Sequence, residues 1–108
     1  MPSFPVNMSW QANLALKLRE LRLVFCQSSA SSQGLKTFVR THYLQTKAAN
    51  PAFPFIVREC RNAIPTIIAR YDFGVEKKVV AEGWTQQQVE EAVQELVSQA
   101  DSVNSYRN

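Results

Sequence analysis

Cysteine is the residue type with the widest chemical scope in this sequence, and the chain has two, Cys26 and Cys60. Each stands at the carboxyl end of a short apolar run that is typical of a β-strand. If the two strands are parallel neighbours, both thiols lie at one edge of the sheet. A disulfide there would stabilise the domain by about 3–4 kcal/mol through loop entropy. Two thiols that pack as small apolar side chains are the alternative, and the sequence leaves both open.

The residues after Cys26 lack the second cysteine of a dithiol redox centre. Such centres place two cysteines two residues apart at the start of a helix, where the helix dipole lowers the pKa of the attacking thiol. Here the tetrapeptide is Cys26-Gln27-Ser28-Ser29, so Cys60 is the candidate resolving thiol. A monothiol oxidoreductase is therefore a minor hypothesis, and no catalytic residue is predicted.

The other residue types do not assemble a known catalytic or metal centre. One histidine and two cysteines cannot supply the four ligands of a closed zinc site. No Ser-His-Asp arrangement, P-loop or dinucleotide-binding glycine motif is found. His42 falls on the apolar face of a predicted helix and is interpreted as a structural residue. The sequence thus predicts neither a metal nor a cofactor.

Periodic patterns predict the elements that position the two cysteines. Residues 18–26 alternate with a period of two, which predicts a strand that ends at Cys26. A helix should follow, capped at its start by Ser31 or Ser32 and stopped near Asn50. Further strands are predicted at residues 53–60, 64–71 and 76–80.

The last helix has the clearest local signal. Thr85 and Gln88 match the capping box, and Trp84 with Val89 matches the hydrophobic staple around it. A continuous apolar stripe follows, which predicts one buried helix face. The stripe consists of Val89, Ala92, Val93, Leu96, Val97 and Ala100.

The predicted order is β-α-β-β-β-α, an α/β fold with a four-stranded mixed sheet. The first β-α-β unit should be parallel with a right-handed crossover, and the last two strands should form an antiparallel hairpin. This is the outline of a thioredoxin-like domain without its middle helix. The domain is predicted over residues 14–100, between an N-terminal arm of residues 1–13 and a polar C-terminal tail of residues 101–108.

Pro65 is a second feature of interest in a thioredoxin-like domain. In that superfamily a cis proline commonly precedes the third strand and faces the redox site. The sequence Ile64-Pro65-Thr66 stands at the start of the predicted third strand. A cis X-Pro bond is a minority state that needs a fixed tertiary context, so an ordinary trans proline at the strand entry is the alternative.

The composition favours one compact domain, and the mild positive charge does not decide what partner it has. The chain has 108 residues, 45% of them hydrophobic, and a net charge of +3. Its basic residues are scattered rather than massed on one face, so no nucleic-acid partner is predicted. The apolar runs are far shorter than the ~20 residues that span a bilayer, so no membrane insertion is expected. The first 19 residues lack acidic side chains, as in a weak mitochondrial targeting signal.

A series of short motifs, in order, resembles one protein family. The first is the run from Cys26 to Gly34, Cys-Gln-Ser-Ser-Ala-Ser-Ser-Gln-Gly. The others are Ala49-Asn50-Pro51, Arg58-Glu59-Cys60 and Arg70-Tyr71-Asp72-Phe73-Gly74. From about Leu14 to Val97, the chain resembles the alpha-subcomplex subunit 2 family of mitochondrial NADH:ubiquinone oxidoreductase, complex I.

The resemblance implies a thioredoxin-like fold and a non-catalytic accessory subunit. It also implies a place in the NADH-oxidising module of the matrix arm, on the matrix side of the mitochondrial inner membrane, beside the large iron–sulfur subunit. Family members carry cysteines matching Cys26 and Cys60 that are able to form a disulfide. The expected function is to stabilise the module.

Three charged residues are candidates for contacts with that partner, namely Arg58, Glu59 and Arg70. Ordinary pairing within the domain is the alternative for each. A mitochondrial large-subunit ribosomal protein contains the same domain and is the competing hypothesis from another class. It predicts longer basic extensions that contact RNA phosphates, and the short tail of mixed charge argues against it.

Overall fold

The computed structural model describes residues 14–105, so the predicted arm of residues 1–13 and the last three residues of the predicted tail lie outside the described part. A helical turn over residues 14–17 comes first. The elements that follow are β1 (Glu20–Phe25), α1 (Gln33–Ala49), β2 (Phe55–Glu59), β3 (Thr66–Arg70), β4 (Glu76–Val80), α2 (Gln86–Ser98) and α3 (Ala100–Ser105). The predicted order of strands and long helices is confirmed.

The four strands form one mixed sheet in the order β2-β1-β3-β4. β1 pairs with β2 in parallel, and Leu23 lies opposite Val57. β1 pairs with β3 in the antiparallel sense, with Leu23 opposite Ile67, and β3 and β4 form the predicted antiparallel hairpin. The α/β class and the mixed four-stranded sheet are therefore confirmed.

The two faces of the sheet have different surroundings. One face is buried beneath α1 and α2, because Leu21, Leu23 and Ile67 belong to the same fully buried cluster as Phe38 of α1 and Val93 of α2. The other face is not part of that cluster, and neither long helix of the described chain packs on it. We call it the open face; it consists of Glu20, Arg22, Val24, Ile56, Arg58, Thr66, Ile68, Arg70, Glu76, Lys78 and Val80.

Local hydrogen bonds mark the start of α2 and the end of α1. The predicted capping box of α2 is present, since the Gln88 N–H donates to Thr85 Oγ1 at 3.3 Å and the Thr85 N–H donates to Gln88 Oε1 at 2.9 Å. α1 ends at the predicted stop, where the Asn50 side chain donates to the Thr46 carbonyl at 3.1 Å. These bonds satisfy backbone groups that a helix terminus leaves free.

The segment after α2 was predicted only as a polar tail, but it contains a helix. A short helix, α3, spans Ala100–Ser105, and Val103 packs against the core. Ala100 is itself fully buried. Apolar contacts therefore stabilise this helix although most of its residues are polar. The longest described helix has 17 residues, and none in residues 14–105 combines the length and apolarity that crossing a membrane requires.

Candidate functional site

The two cysteines lie at one edge of the sheet, as predicted. Phe25 of β1 pairs with Glu59 of β2, and the N–H of Cys60 donates to the Phe25 carbonyl at 2.9 Å. Cys26 and Cys60 therefore leave the sheet from adjacent strands. Cys26 is buried and Cys60 is half-buried, and both are free thiols in this structure. The disulfide that the sequence left open is not formed in it.

A serine-rich turn fixes the backbone of Cys26. The Cys26 N–H donates to Ser32 Oγ at 3.2 Å, and Ser32 is fully buried. Ser32 stands at the N-cap position of α1, as predicted, but its side chain makes no capping bond there. Ser29 instead caps the 3-10 turn that precedes α1 by accepting a bond from the Ser31 N–H at 3.2 Å. The Ser32 hydroxyl accepts its bond from the residue after β1 and not from an N–H of α1.

The pKa of the Cys26 thiol is lowered from its ordinary value. The largest cause is a hydrogen bond from the backbone N–H of Asn62, followed by bonds from the hydroxyl and the N–H of Ser28 and from the N–H of Ser29. Cys26 Sγ lies 3.7 Å from Ser28 Oγ. Burial acts in the opposite direction because it disfavours the charged thiolate. Donors from two loops thus favour the thiolate, which is the form that attacks disulfides.

Asn62 is a site residue that the sequence analysis missed. Its φ is 62°, a left-handed conformation that Asn adopts more readily than most residues. The turn it occupies also contains the bond from the Ala63 N–H to the Cys60 carbonyl at 3.1 Å. The signal in the sequence was an Asn two residues after Cys60, because Asn favours a left-handed turn. That turn directs the backbone N–H of Asn62 towards Cys26.

Pro65 does not have the cis conformation that the sequence left open for it. Its peptide bond with Ile64 is trans, so the alternative of a trans proline at the strand entry holds. Trans is the more stable isomer by about 0.5–1 kcal/mol in the absence of other constraints. Pro65 is buried next to β3, and its carbonyl accepts a bond from the Ala81 N–H at 2.8 Å. Pro65 thus joins the start of β3 to the end of β4.

The three charged candidates for partner contact have different surroundings. Arg58 and Glu59 are exposed at the end of β2, where the amide of Gln27 is placed to donate to Glu59 Oε1 at 2.6 Å. Arg70 lies on the open face, where its guanidinium meets Glu76 Oε2 at 3.2 Å and Glu20 Oε1 at 3.6 Å. Arg70 therefore forms ion pairs within the domain, which was the alternative to a partner contact.

Gly34 is a second position whose importance the sequence analysis missed. A Cβ built on this residue would lie 1.9 Å from the backbone oxygen of Trp84, so only glycine fits at the start of α1. The adjoining Gly83 N–H donates to the Ser31 carbonyl at 2.9 Å. The turn that holds Cys26 is thereby packed directly against the segment that leads into α2.

His42 has the structural role that was predicted for it. Its ring centroid lies 4.8 Å from that of Phe38, and its Nε2 is 3.6 Å from Glu90 Oε1 of α2. The side chain therefore links the two helices. Among the described residues, no three His, Cys, Asp or Glu side chains are grouped as metal ligands would be. The chemistry that this arrangement can perform is that of two thiols.

Comparison with known proteins places the chain among named relatives. Residues 35–83 match the family described as Mitochondrial ribosomal protein L51 / S25 / CI-B8 domain. The chain is 40% identical over 90 residues to NADH dehydrogenase (ubiquinone) 1 alpha subcomplex subunit 2 of Arabidopsis thaliana, covering 83% of this chain and 93% of the relative.

Two further relatives come from an animal and a fungus. The protein with the same description from Mus musculus is 40% identical over 83 residues, covering 77% of this chain and 84% of its own length. The NADH-ubiquinone oxidoreductase 10.5 kDa subunit of Neurospora crassa is 39% identical over 80 residues, covering 74% of this chain and 85% of its own. All three alignments extend over most of both proteins.

Proposed function

The chain belongs to the family of NADH dehydrogenase (ubiquinone) 1 alpha subcomplex subunit 2, and on that premise we propose that it is a non-catalytic accessory subunit of mitochondrial respiratory complex I. The observation that carries this proposal is the 40% identity over 93% of the Arabidopsis relative. The protein contributes packing surface to a larger assembly.

The scaffold in this proposal is thioredoxin-like with its middle helix absent. The parallel β1-α1-β2 unit and the antiparallel β3-β4 hairpin support it. The position of the second active-site thiol is held by Ser29, whose hydroxyl is engaged with the turn at 2.8 Å from Ser31 Oγ. Such a domain retains the shape of an oxidoreductase without its dithiol.

The partner in this proposal is the large iron–sulfur subunit of the NADH-oxidising module. The location is the matrix side of the mitochondrial inner membrane, peripheral to the bilayer and within complex I. Exposed charges at the end of β2, Arg58 and Glu59, are available for polar contacts with that subunit. The role is to stabilise the module, with no cofactor of its own.

Cys26 and Cys60 add a possible redox response to this structural role. In the step we propose, the Cys26 thiolate attacks one sulfur of a small disulfide such as oxidised glutathione, and a glutathione thiolate leaves. The Cys60 thiolate then attacks the Cys26 sulfur, which releases the second glutathione. The two protein thiols lose two electrons and two protons, and the reagent gains them. The adjacent strand ends and the lowered pKa of Cys26 support this order of attack.

Free thiols counted in the unfolded protein test the redox step. After equilibration with oxidised glutathione we expect none per chain, and after reduced glutathione we expect two. The Cys60→Ser variant should instead stop at the mixed disulfide, visible as one added glutathione by mass. Two free thiols under both conditions would refute the step and leave the structural role standing.

The structural role is tested by deleting the gene in the source organism. We expect the amount of assembled complex I and its NADH dehydrogenase activity on native gels to fall, and the wild-type chain to restore both. A chain carrying Cys26→Ser and Cys60→Ser should restore assembly as well, since the role does not use the thiols. Fully assembled and fully active complex I in the deletion strain would contradict the proposal.

A ribosomal role is the second candidate, because the matched family description includes mitochondrial ribosomal proteins over residues 35–83. That role needs phosphate contacts from a basic surface. Co-sedimentation of the tagged chain with large ribosomal subunits, rather than with NADH dehydrogenase activity, would favour it over the accessory subunit.

A further inference from the structure

Four aliphatic side chains lie in two neighbouring rows of the open face. Val24 of β1 lies in register with Thr66 of β3, which in turn faces Val80 of β4. In the next row Ile56 and Ile68 flank Arg22. Val80 is 54% exposed, and none of these aliphatic side chains belongs to the core cluster of the described residues. An aliphatic surface of four side chains therefore contributes nothing to the interior.

One end of this face carries charges that neutralise one another. Arg22 Nε lies 2.8 Å from Glu20 Oε2, and its Nη2 lies 3.3 Å from Glu76 Oε2. Arg70 contacts the same two carboxylates at 3.6 Å and 3.2 Å. Two cations and two anions form a closed network, so this end of the open face attracts neither sign strongly.

The two edge strands carry positive charges outside that network. Arg58 stands on β2 and Lys78 on β4, and the register places both on the open face. Both are exposed, and neither makes an ion pair with the side chains that the structure describes. Three strand spacings, roughly 14 Å, separate the strands that bear them. The open face thus combines four aliphatic side chains with one unpaired cation on each edge strand.

We propose that the open face docks an acidic amphipathic helix of another complex I subunit; this proposal rests on the proposed function. A sheet face is ordinarily buried by a layer of helices, and a helix about 10 Å wide that lies across the strands covers these two rows. Its apolar stripe would meet Val24, Ile68 and Val80, and carboxylates near its two ends would meet Arg58 and Lys78. Opposite charges at the rim set the orientation of such a contact.

Other occupants fit the charge pattern less well. A second copy of this chain brings the same excess of two positive charges to the contact. Residues 1–13 of the chain contain no acidic side chain, so they offer nothing to Arg58 or Lys78. An acidic amphipathic helix of a different protein can contact both the aliphatic side chains and the two cations, Arg58 and Lys78.

Two matched pairs of variants test this inference in cells whose native gene has been deleted. The charge pair consists of two double variants. Arg58→Glu with Lys78→Glu alters the open face, and Arg40→Glu with Arg61→Glu is the control elsewhere; all four positions are exposed. The apolar pair compares Val80→Ser with Leu44→Ser, whose side chains are 54% and 78% exposed. Purified full-length variants are first melted, and those within a few degrees of wild type are used.

Incorporation into complex I on native gels is the measurement. We expect the open-face charge variant to be incorporated about tenfold less than wild type, Val80→Ser to be reduced severalfold, and both controls to stay within twofold. Equal incorporation of all four variants, with wild type incorporated normally, would overturn the docking proposal and leave the proposed function intact. Failure of wild type itself to join the complex would instead overturn the proposed function. A wild-type dimer in solution that the open-face variants abolish would assign the face to a second copy and refute the acidic helix.

Discussion

The covered and open faces of the one sheet divide its strands into two kinds of surface. Ile67 and Ile68 are neighbours on β3, yet Ile67 is fully buried in the core and Ile68 lies half-buried on the open face. Successive side chains of a strand point to opposite faces, so a single sequence alternation specifies both surfaces. Stability and binding can therefore be changed separately, one residue at a time.

The contacts that hold the two faces are also of different kinds. On the covered face the Tyr71 hydroxyl donates to the Leu96 carbonyl at 2.6 Å, and the backbone of Gly34 approaches that of Trp84. On the open face the contacts are ion pairs at the solvent boundary. Buried contacts are worth several times more free energy than exposed ion pairs, so the covered face should dominate the stability.

Truncating the two neighbouring isoleucines gives the largest expected contrast. Ile67→Ala removes a fully buried side chain and should lower the free energy of unfolding by about 4 kcal/mol, because it leaves a cavity. Ile68→Ala removes a half-buried one and should cost about 1 kcal/mol or less. Urea unfolding of both variants measures the difference, and equal losses would show that the open face is packed after all.

A methyl group at Gly34 should have the next largest effect. The Cβ of Gly34→Ala would overlap the Trp84 backbone, so α1 and the segment before α2 must separate, at a cost of about 3 kcal/mol. Gly83→Ala is the matched control, since its Cβ meets nothing within 4 Å and only its positive φ of 74° is strained. We expect about 1 kcal/mol there. A thermal melt in which Gly34→Ala matches Gly83→Ala would contradict the close approach.

Tyr71 should make the covered face sensitive to alkali. Burial raises the pKa of Tyr71 to about 12, above the value of about 10 in an unfolded chain. The folded state therefore holds the Tyr71 proton more tightly than the unfolded state. Its contribution to the free energy of unfolding is complete below pH ~10 and is lost as the pH rises towards 12. Tyr71→Phe should cost about 1 kcal/mol at pH 7 and flatten the alkaline loss measured by urea unfolding. Tyr43→Phe, at a half-buried position, should keep that loss, and an unchanged profile in Tyr71→Phe would refute the assignment.

The ion pairs of the open face should give the smallest effect. Glu76→Gln removes the carboxylate that contacts both Arg22 and Arg70, and we expect a loss of about 0.5 kcal/mol. Because salt screens exposed charges, the loss should shrink at 1 M ionic strength. Glu82→Gln at another exposed site is the control. A loss above 2 kcal/mol that salt does not reduce would mean that the network is structurally essential.

The sequence predicted those features that depend on local pattern. The alternation around Leu23 and the capping box at Thr85 depend on side chains only a few residues apart, and both have the predicted roles. The placement of Cys26 beside Cys60 followed from one further rule, that a parallel β-α-β unit brings its strand ends to one edge. Local periodicity together with that rule was sufficient for most of the fold.

The features that the sequence did not predict depend on contacts between distant segments. Asn62 reaches the Cys26 sulfur from the next strand's loop, and Gly34 is required by Trp84, fifty residues later in the chain. The short helix α3 was missed for the same reason. No window of sequence contains these partners together.

The strand order β2-β1-β3-β4 also determines when each strand finds its neighbours during synthesis. β1 is made first but lies inside the sheet, so one of its edges stays unpaired until Glu59 has been made and the other until Arg70 has been made. A hydrophobic strand with open edges is a template for wrong pairing with other chains. The nascent chain is therefore most vulnerable to aggregation between the completion of Phe25 and the completion of β3, and this interval is where a chaperone would have the greatest effect on yield.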